Sequence, residues 1–222
     1  MTVASRGMRQ VADGVWQVPL MPRDAVNAYV LGDVLVDAGY GNHGKKLPGM
    51  LDGAPIRAHA LTHAHPDHAG GSKAVVAALG VPFWAPAGDA DACEAGQAQG
   101  RPSRFDRLLA PLGRFPSVKV DRRLREGDEV GGFRVLDVPG HSPGHVAYWR
   151  EADRVLVCGD VWFNIEFKTF RPRLREPFRV VTTDIERNRE SMRRLAELKP
   201  AIACFGHGPV MTDAASQLRV VP

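Results

Sequence analysis

The stretch THAHPDHAGG, residues 62–71, holds three histidines and an aspartate within the six positions from His63 to His68. A hydrophobic core excludes such a set, because every buried imidazole or carboxylate needs a partner. A metal ion supplies one. His63 and His65 are two positions apart, so an extended backbone places both rings on one face. Pro66 then turns the chain into a helix, which carries Asp67 and His68 to a neighbouring position. One segment therefore offers donors to two adjacent sites, and each site needs further donors from elsewhere.

Those donors recur downstream. His141 and His145 stand in VPGHSPGH (138–145), and His207 stands in CFGHGPV (204–210). Asp160 ends the run VLVCGD and has two oxygens with which to bridge a pair of ions. Each segment follows a strand-like run and is rich in Gly or Pro. Loops at strand ends aim side chains from a rigid scaffold.

The frame around these loops reads as follows. A chain of 222 residues with 44% apolar content predicts one domain over 1–222 with a sizeable core. A net charge of +4 does not by itself indicate nucleic acid. Cys93, Cys158 and Cys204 are too few and odd in number for a disulfide scaffold, which suits a reducing compartment. The polar start MTVASRGMRQ has no apolar signal region, and no apolar run reaches the roughly 20 residues that span a bilayer. A cytoplasmic protein with no membrane association is expected.

Gly14–Val18, Asn27–Leu31 and Asp33–Asp37 read as an antiparallel meander. Arg57–Leu61 is a short strand leading into the histidine loop, and Ala69–Leu79 is a helix closed by Gly80. Residues 86–116 read as loop with one or two short helices. Strands follow at Val130–Val138, Val146–Trp149, Val155–Cys158 and Ala201–Phe205. Asp184–Leu198 is an amphipathic helix, capped by Thr183 or Asp184, and a short helix follows Asp213. Two similar halves of strands and helices predict two sheets between helical layers.

HAHPDH (63–68), PGHSPGH (139–145), CGD (158–160) and GHG (206–208) together resemble the metallo-β-lactamase superfamily, in order and in placement at strand ends. The resemblance spans nearly the whole chain. It implies an α/β (α+β) fold, the four-layer αββα sandwich. It implies His63, His65 and His141 on one metal, Asp67, His68 and His207 on a second, and Asp160 between them. Two divalent ions are implied, zinc first, with iron or manganese suited to the same donors. Such ions, about 3.5–4 Å apart, hold a bridging hydroxide formed at a pKa of roughly 7. Asp160 would hold the pair and Asp67 orient the hydroxide, which makes both catalytic.

Asp160 resembles the glyoxalase II branch, since the zinc β-lactamases place Cys or Ser there. The Gly-Cys-Gly-Arg run of glyoxalase II is replaced by VWFNIEFKTFRPR (161–173), and 15 residues follow His207, so glutathione-thioester hydrolysis is not expected. The activity implied is hydrolysis of a small-molecule ester, thioester or lactone. The alternatives are a phosphodiesterase or nuclease of the same fold, and an iron-dependent persulfide dioxygenase, whose branch carries Cys where His145 stands.

The remaining candidates support the site. His145 packs behind the His141 loop. Asp37 either orients a ligand or caps a turn. Tyr148, Asn164 or His145 assists a leaving group. His59 is structural, His43 is a surface residue near a helix start, and Cys158 and Cys204 are inert core thiols. FNIEFKTFRPRLREPFR (163–179) reads as a lid lining the substrate pocket, in preference to a single-stranded nucleic-acid surface. Arg101–Arg125 carries eight Lys or Arg against two Asp, a net of +6, as a solvated loop or for an anionic substrate. Loops 86–116 and 161–180 are expected to set specificity.

Overall fold

A computed structural model describes residues 7–99 and 113–221. Arg9–Ala12 (β1), Val15–Pro19 (β2), Asn27–Leu31 (β3) and Val34–Val36 (β4) form the antiparallel meander, with β1 an addition to the expected strands. Ala58–Ala60 (β5), Phe83–Pro86 (β6) and Arg122–Leu124 (β7) extend it in parallel into a seven-stranded sheet in chain order. The second sheet has five strands: Glu129–Val130 (β8), Phe133–Asp137 (β9), Val146–Arg150 (β10), Val155–Gly159 (β11) and Ile202–Phe205 (β14). Strand β14 runs parallel to β11, and the other pairs are antiparallel. Phe163–Glu166 (β12) and Arg171–Arg175 (β13) form a separate hairpin.

Side-chain alternation explains why the sheets stack. In β9, β10 and β11, Val135, Tyr148 and Val157 enter the core between the sheets, against Tyr29, Leu31 and Val36. Their neighbours Leu136, Trp149 and Cys158 face the opposite way, as a period of two requires. There they meet Met192 and Leu195 of the helix Ile185–Glu197 (α6), both fully buried. Each such burial is worth about 1.5–3 kcal/mol, and truncating either to Ala costs about 2–5 kcal/mol. Asp184 caps this helix by accepting the Arg187 N–H at 3.0 Å. On the far face of the first sheet, Leu47 of Leu47–Met50 (α2) and Val75 of Ser72–Leu79 (α4) cover Val18, Val30 and Leu35. Helix, sheet, sheet, helix is the four-layer αββα sandwich expected.

Local expectations need two corrections. The helix Ala69–Leu79 is two helices, Pro66–Ala69 (α3) and α4, parted at Gly70–Gly71. A Cβ at Gly71 would strike the Ala38 carbonyl and the Gly44 backbone, so the chain breaks there to pack closely against the helix Gly41–Gly44 (α1). The strand Val130–Val138 is a hairpin, because Gly131 and Gly132 turn it with φ of 56° and 81°. Loop 86–116 holds the short helix Ala90–Ala95 (α5) as expected, and 100–112, which includes residues 101–112 of the basic run, lies outside the described residues. Ala214–Gln217 (α7) is the short helix expected after Asp213. Among the described residues no helix is long and apolar enough to cross a membrane.

Candidate metal centre

Four strand ends deliver the polar loops to one place. The chain leaving β5 reaches His63, the loop between β9 and β10 carries His141, β11 ends beside Asp160 and β14 ends beside His207. His65 Nδ1 lies 3.1 Å from His63 Nε2 and 2.9 Å from His141 Nε2. Asp160 Oδ2 lies 3.3 Å from His68 Nε2, 3.1 Å from His207 Nε2, 3.4 Å from His141 Nε2 and 3.9 Å from His63 Nε2. Asp67 Oδ2 is 3.3 Å from His207 Nε2. The donor atoms fall into three groups, His63/His65/His141, His63/His68/Asp160 and Asp67/His68/His207.

The outer hydrogen bonds decide which nitrogen of each ring carries the proton. Thr62 Oγ1 donates to Asp37 Oδ2 at 2.8 Å, so at 3.1 Å it can only accept from His63 Nδ1. Thr182 Oγ1 donates to the Phe178 carbonyl at 3.0 Å and therefore accepts from His141 Nδ1 at 3.2 Å. His68 Nδ1 donates to Asp37 Oδ2 at 2.8 Å, and His207 Nδ1 to the Ala25 carbonyl at 2.6 Å. All four rings thus keep the Nδ1 proton outside and turn Nε2 inward. This is the arrangement by which partners behind a metal-binding histidine fix its tautomer.

The donor set fits divalent cations. His68 Nε2 and Asp160 Oδ1 are buried without a hydrogen-bond partner, a cost few folds carry without a ligand. The spacing in the His63/His65/His141 group is close to the roughly 3.3 Å that separates tetrahedral ligands bonded at about 2.0–2.1 Å. The field points the same way. Burial would lower His207, yet Asp160 and Asp67 push it up to about 10. Burial would likewise lower His68, but Asp160 and Asp37 hold it well above its ordinary value. Burial would raise Asp160, but His207 and His68 hold it well below the usual carboxylate range. Asp160, which faces both rings, draws positive charge onto these inward nitrogens. Burial and the facing imidazole of His141 depress His65 to about 3, which leaves its lone pair bare.

The other predicted residues take defined places. Asp37, whose role the sequence leaves open, orients: besides His68 it accepts the Thr62 N–H at 2.8 Å. His145 gives no atom to the cluster; its Nε2 accepts the Asp160 N–H at 3.0 Å and its ring stacks on His63 at 4.7 Å. Leaving-group roles for Tyr148 and Asn164 do not agree with the structure. Tyr148 is fully buried, and its hydroxyl donates to the Leu61 carbonyl at 2.5 Å. Asn164 spends its amide on the Pro209 carbonyl at 2.8 Å. His59 is structural, bonded to the Leu35 carbonyl and Ser72 Oγ. His43 sits partly exposed in α1 and meets the Tyr40 N–H. Cys158 and Cys204 are buried, and burial raises both thiols.

Several supporting residues escape sequence reading. Asn27 Nδ2 donates to the carbonyls of Asp24, Phe205 and Gly208, at 3.2, 3.1 and 2.9 Å, and so frames the His207 loop. Asp89 accepts from Ala64 N, Ser142 Oγ and Gly144 N, joining the first histidine loop to the second. Gly206 is obligatory by contact, since a Cβ there would collide with Asp160 Oδ1 and the His68 ring.

Comparison with known proteins agrees with this arrangement. The family model described as the metallo-beta-lactamase superfamily matches residues 21–207. Probable metallo-hydrolase YflN of Bacillus subtilis (strain 168) is 30% identical over 204 residues, which span 81% of this chain and 76% of that protein. A hydroxyacylglutathione hydrolase of Methylococcus capsulatus is 36% identical over 110 residues, 47% of this chain but only 34% of the relative's length. The crystal structure of TTHA1623 in a di-iron-bound form superposes with a TM-score of 0.68 at 30% identity, covering 91% of this chain and 98% of that one.

Proposed function

Because the chain belongs to the metallo-β-lactamase superfamily, we propose that it is a hydrolase using two divalent metal ions to cleave a small-molecule ester, thioester or lactone. The observation that carries this reading is the inward Nε2 of His63, His68, His141 and His207, each fixed by an outer acceptor at Nδ1. His63, His65 and His141 would hold one ion. Asp67, His68 and His207 would hold the other, with Asp160 shared. Zinc suits these donors, and the di-iron relative makes iron the second choice. When bound, the pair supplies Lewis acidity and a water made acidic near neutral pH.

The chain's own residues do the rest. Asp160, 2% exposed, faces four histidines and keeps the two donor groups together. Asp67 has a side chain 21% exposed. It is the carboxylate that reaches arriving water, and it would orient that water by accepting a hydrogen bond at a carboxylate oxygen. His145 holds the Asp160 backbone, so the shared carboxylate cannot swing out. Nothing in the cluster resembles a covalent nucleophile with an adjacent base, so attack by water is direct.

The test is metal analysis of the purified protein, followed by a panel of thioester, lactone, aryl ester, phosphodiester and β-lactam substrates. Asp160→Asn runs alongside. Cleavage of one carbonyl class by a protein with two metals, lost in the variant, supports the reading. Turnover of the phosphodiester alone makes the protein a phosphodiesterase. A single iron with oxygen uptake on persulfides makes it a dioxygenase, and a protein that takes up no metal refutes the proposal outright.

A further inference from the structure

Three phenylalanines stand between the donor cluster and solvent. Phe163 packs edge-on to His207 with ring centroids 4.7 Å apart, and lies 6.2 Å from His141. Phe167 is 5.7 Å from His207. Phe178 completes the triangle, 5.9 Å from Phe163 and 5.5 Å from Phe167. This trio is no part of the core between the sheets: Phe163, Ile165 and Ala25 form a cluster of their own, with Phe167 packed on it. Exposure rises across the trio from 3% at Phe163 to 37% at Phe178.

The exposed apolar surface has a location that folding alone does not require. The large exposed apolar side chains among the described residues are Met21, Tyr40, Phe170, Phe178, Val180 and Val181. All but Phe170 lie in three short segments, 21–25, 37–40 and 178–182. Those segments also supply the acceptors Ala25, Asp37 and Thr182 that hold His207, His68 and His141. The apolar rim is thus tied to the same backbone that orients the donors. Apolar rings set directly beside convergent polar donors are the combination that ligand sites use. The chemistry of the wall is apolar rather than anionic. Among the described residues Arg175 lies against it, 4.2 Å from the Phe178 ring, and is paired with Glu166 at 3.7 Å. It props the ring and shares Glu166 with Arg173, which is 2.9 Å from that carboxylate.

We propose that Phe163, Phe167 and Phe178 form an acyl-binding subsite that takes an unbranched apolar chain attached to the scissile carbonyl, with Phe178 as the specificity-determining residue. The assignment rests on the hydrolase reading of the cluster. A carbonyl oxygen at the cluster leaves its acyl substituent against Phe163, because that ring touches donors of both groups. The chain then runs outward past Phe167 to Phe178. The substrate class is accordingly a medium-chain acyl ester, thioester or lactone rather than an acetyl one.

The experiment uses metal-loaded protein and p-nitrophenyl esters of acetate, butanoate, hexanoate and octanoate. The expected kcat/KM rises about two- to fourfold for each added methylene. Phe178→Ala lowers the octanoyl-to-acetyl ratio at least tenfold, and Phe178→Leu recovers most of it. A ratio does not depend on the fraction of protein that is folded, so a structural defect alone leaves it unmoved. Calorimetric binding of octanoate against acetate needs no turnover and separates the two readings. If no ester is cleaved but octanoate binds at least tenfold more tightly, dependent on Phe178, the subsite stands and the ester reading falls. If esters are cleaved with no chain-length preference, or the two acids bind alike, the subsite is overturned and the hydrolase is kept.

Discussion

Replacing Asp37 by Asn tests the tautomer argument directly, because it changes one atom and little else. Asp37 sits at φ 62° with 1% exposure, and Asn adopts that left-handed backbone readily. The carboxylate oxygen Oδ2 accepts from Thr62 Oγ1 and from His68 Nδ1, each at 2.8 Å, while Oδ1 accepts the Thr62 N–H at 2.8 Å. An amide nitrogen in the Oδ2 position donates where it must accept. It pushes the His68 proton from Nδ1 to Nε2. It also turns the Thr62 hydroxyl to donate toward His63 Nδ1, which moves that proton to Nε2 as well. Flipping the amide does not help, since its NH2 then faces the Thr62 N–H. Both inward nitrogens lose their lone pairs in the favoured state. The expected weakening of metal binding is about 10–100-fold, or about 1.4–2.7 kcal/mol. Competition with a chromophoric chelator reads the affinity, and urea unfolding of the metal-free protein reads the fold. Metal affinity within twofold of wild type in a folded Asp37→Asn protein would refute the tautomer account.

Other perturbations separate framework from chemistry. Asn27→Ala leaves the Gly208 carbonyl and Gln17 Nε2 without their buried partner, while the Phe205 carbonyl keeps the Tyr29 hydroxyl. Unpaired groups of this kind cost about 1–3 kcal/mol each, so denaturant midpoints should fall clearly. Tyr148→Phe removes only the bond to the Leu61 carbonyl; stability drops by about 1 kcal/mol, and kcat keeps its wild-type value if the hydroxyl has no leaving-group role. Glu126 carries an acid-dependent contribution. Burial would raise its carboxyl, but Arg194 and the Asp137 N–H hold it below its ordinary 4.5. A depressed carboxylate stabilises above its unfolded pKa and loses that stability as pH falls through its folded value. The stability gap between wild type and Glu126→Gln should therefore be widest near neutral pH and close below about pH 4.5. A gap that widens in acid would contradict the sign.

The donor loops were legible because ligation demands rare residues in short contiguous segments. HAHPDH cannot be mistaken for core, and an extended-then-helical backbone divides its donors between two positions. The residues that orient those donors were legible only in part, Asp37 as a candidate whose role stayed open and Thr182 and Asp89 not at all. Asp37, Thr182 and Asp89 are ordinary turn residues by type, and only folding brings them within hydrogen-bond distance of loops 25 to 55 positions away. The Gly131–Gly132 hairpin was available from its dipeptide and was hidden by the apolar residues on either side. The break at Gly70–Gly71 was not available, because it follows from close packing against Gly44 rather than from local propensity.

The two groups of donors are held by separate frameworks, which bears on how the site can fail. The His63/His65/His141 side depends on Asp89, whose carboxylate draws the backbone at Ala64 and Gly144 together with the Ser142 hydroxyl. The His207 side depends on the first sheet gripping the second: Asn27 Nδ2 and the Tyr29 hydroxyl both bond the Phe205 carbonyl, at 3.1 and 2.8 Å. Damage to one framework should disorder one donor group and spare the other. Damage to Asp37 should disturb both, since it reaches His68 directly and His63 through Thr62. That places Asp37, absent from every donor loop, at the junction of the site, with Asp160 as its counterpart on the inner side.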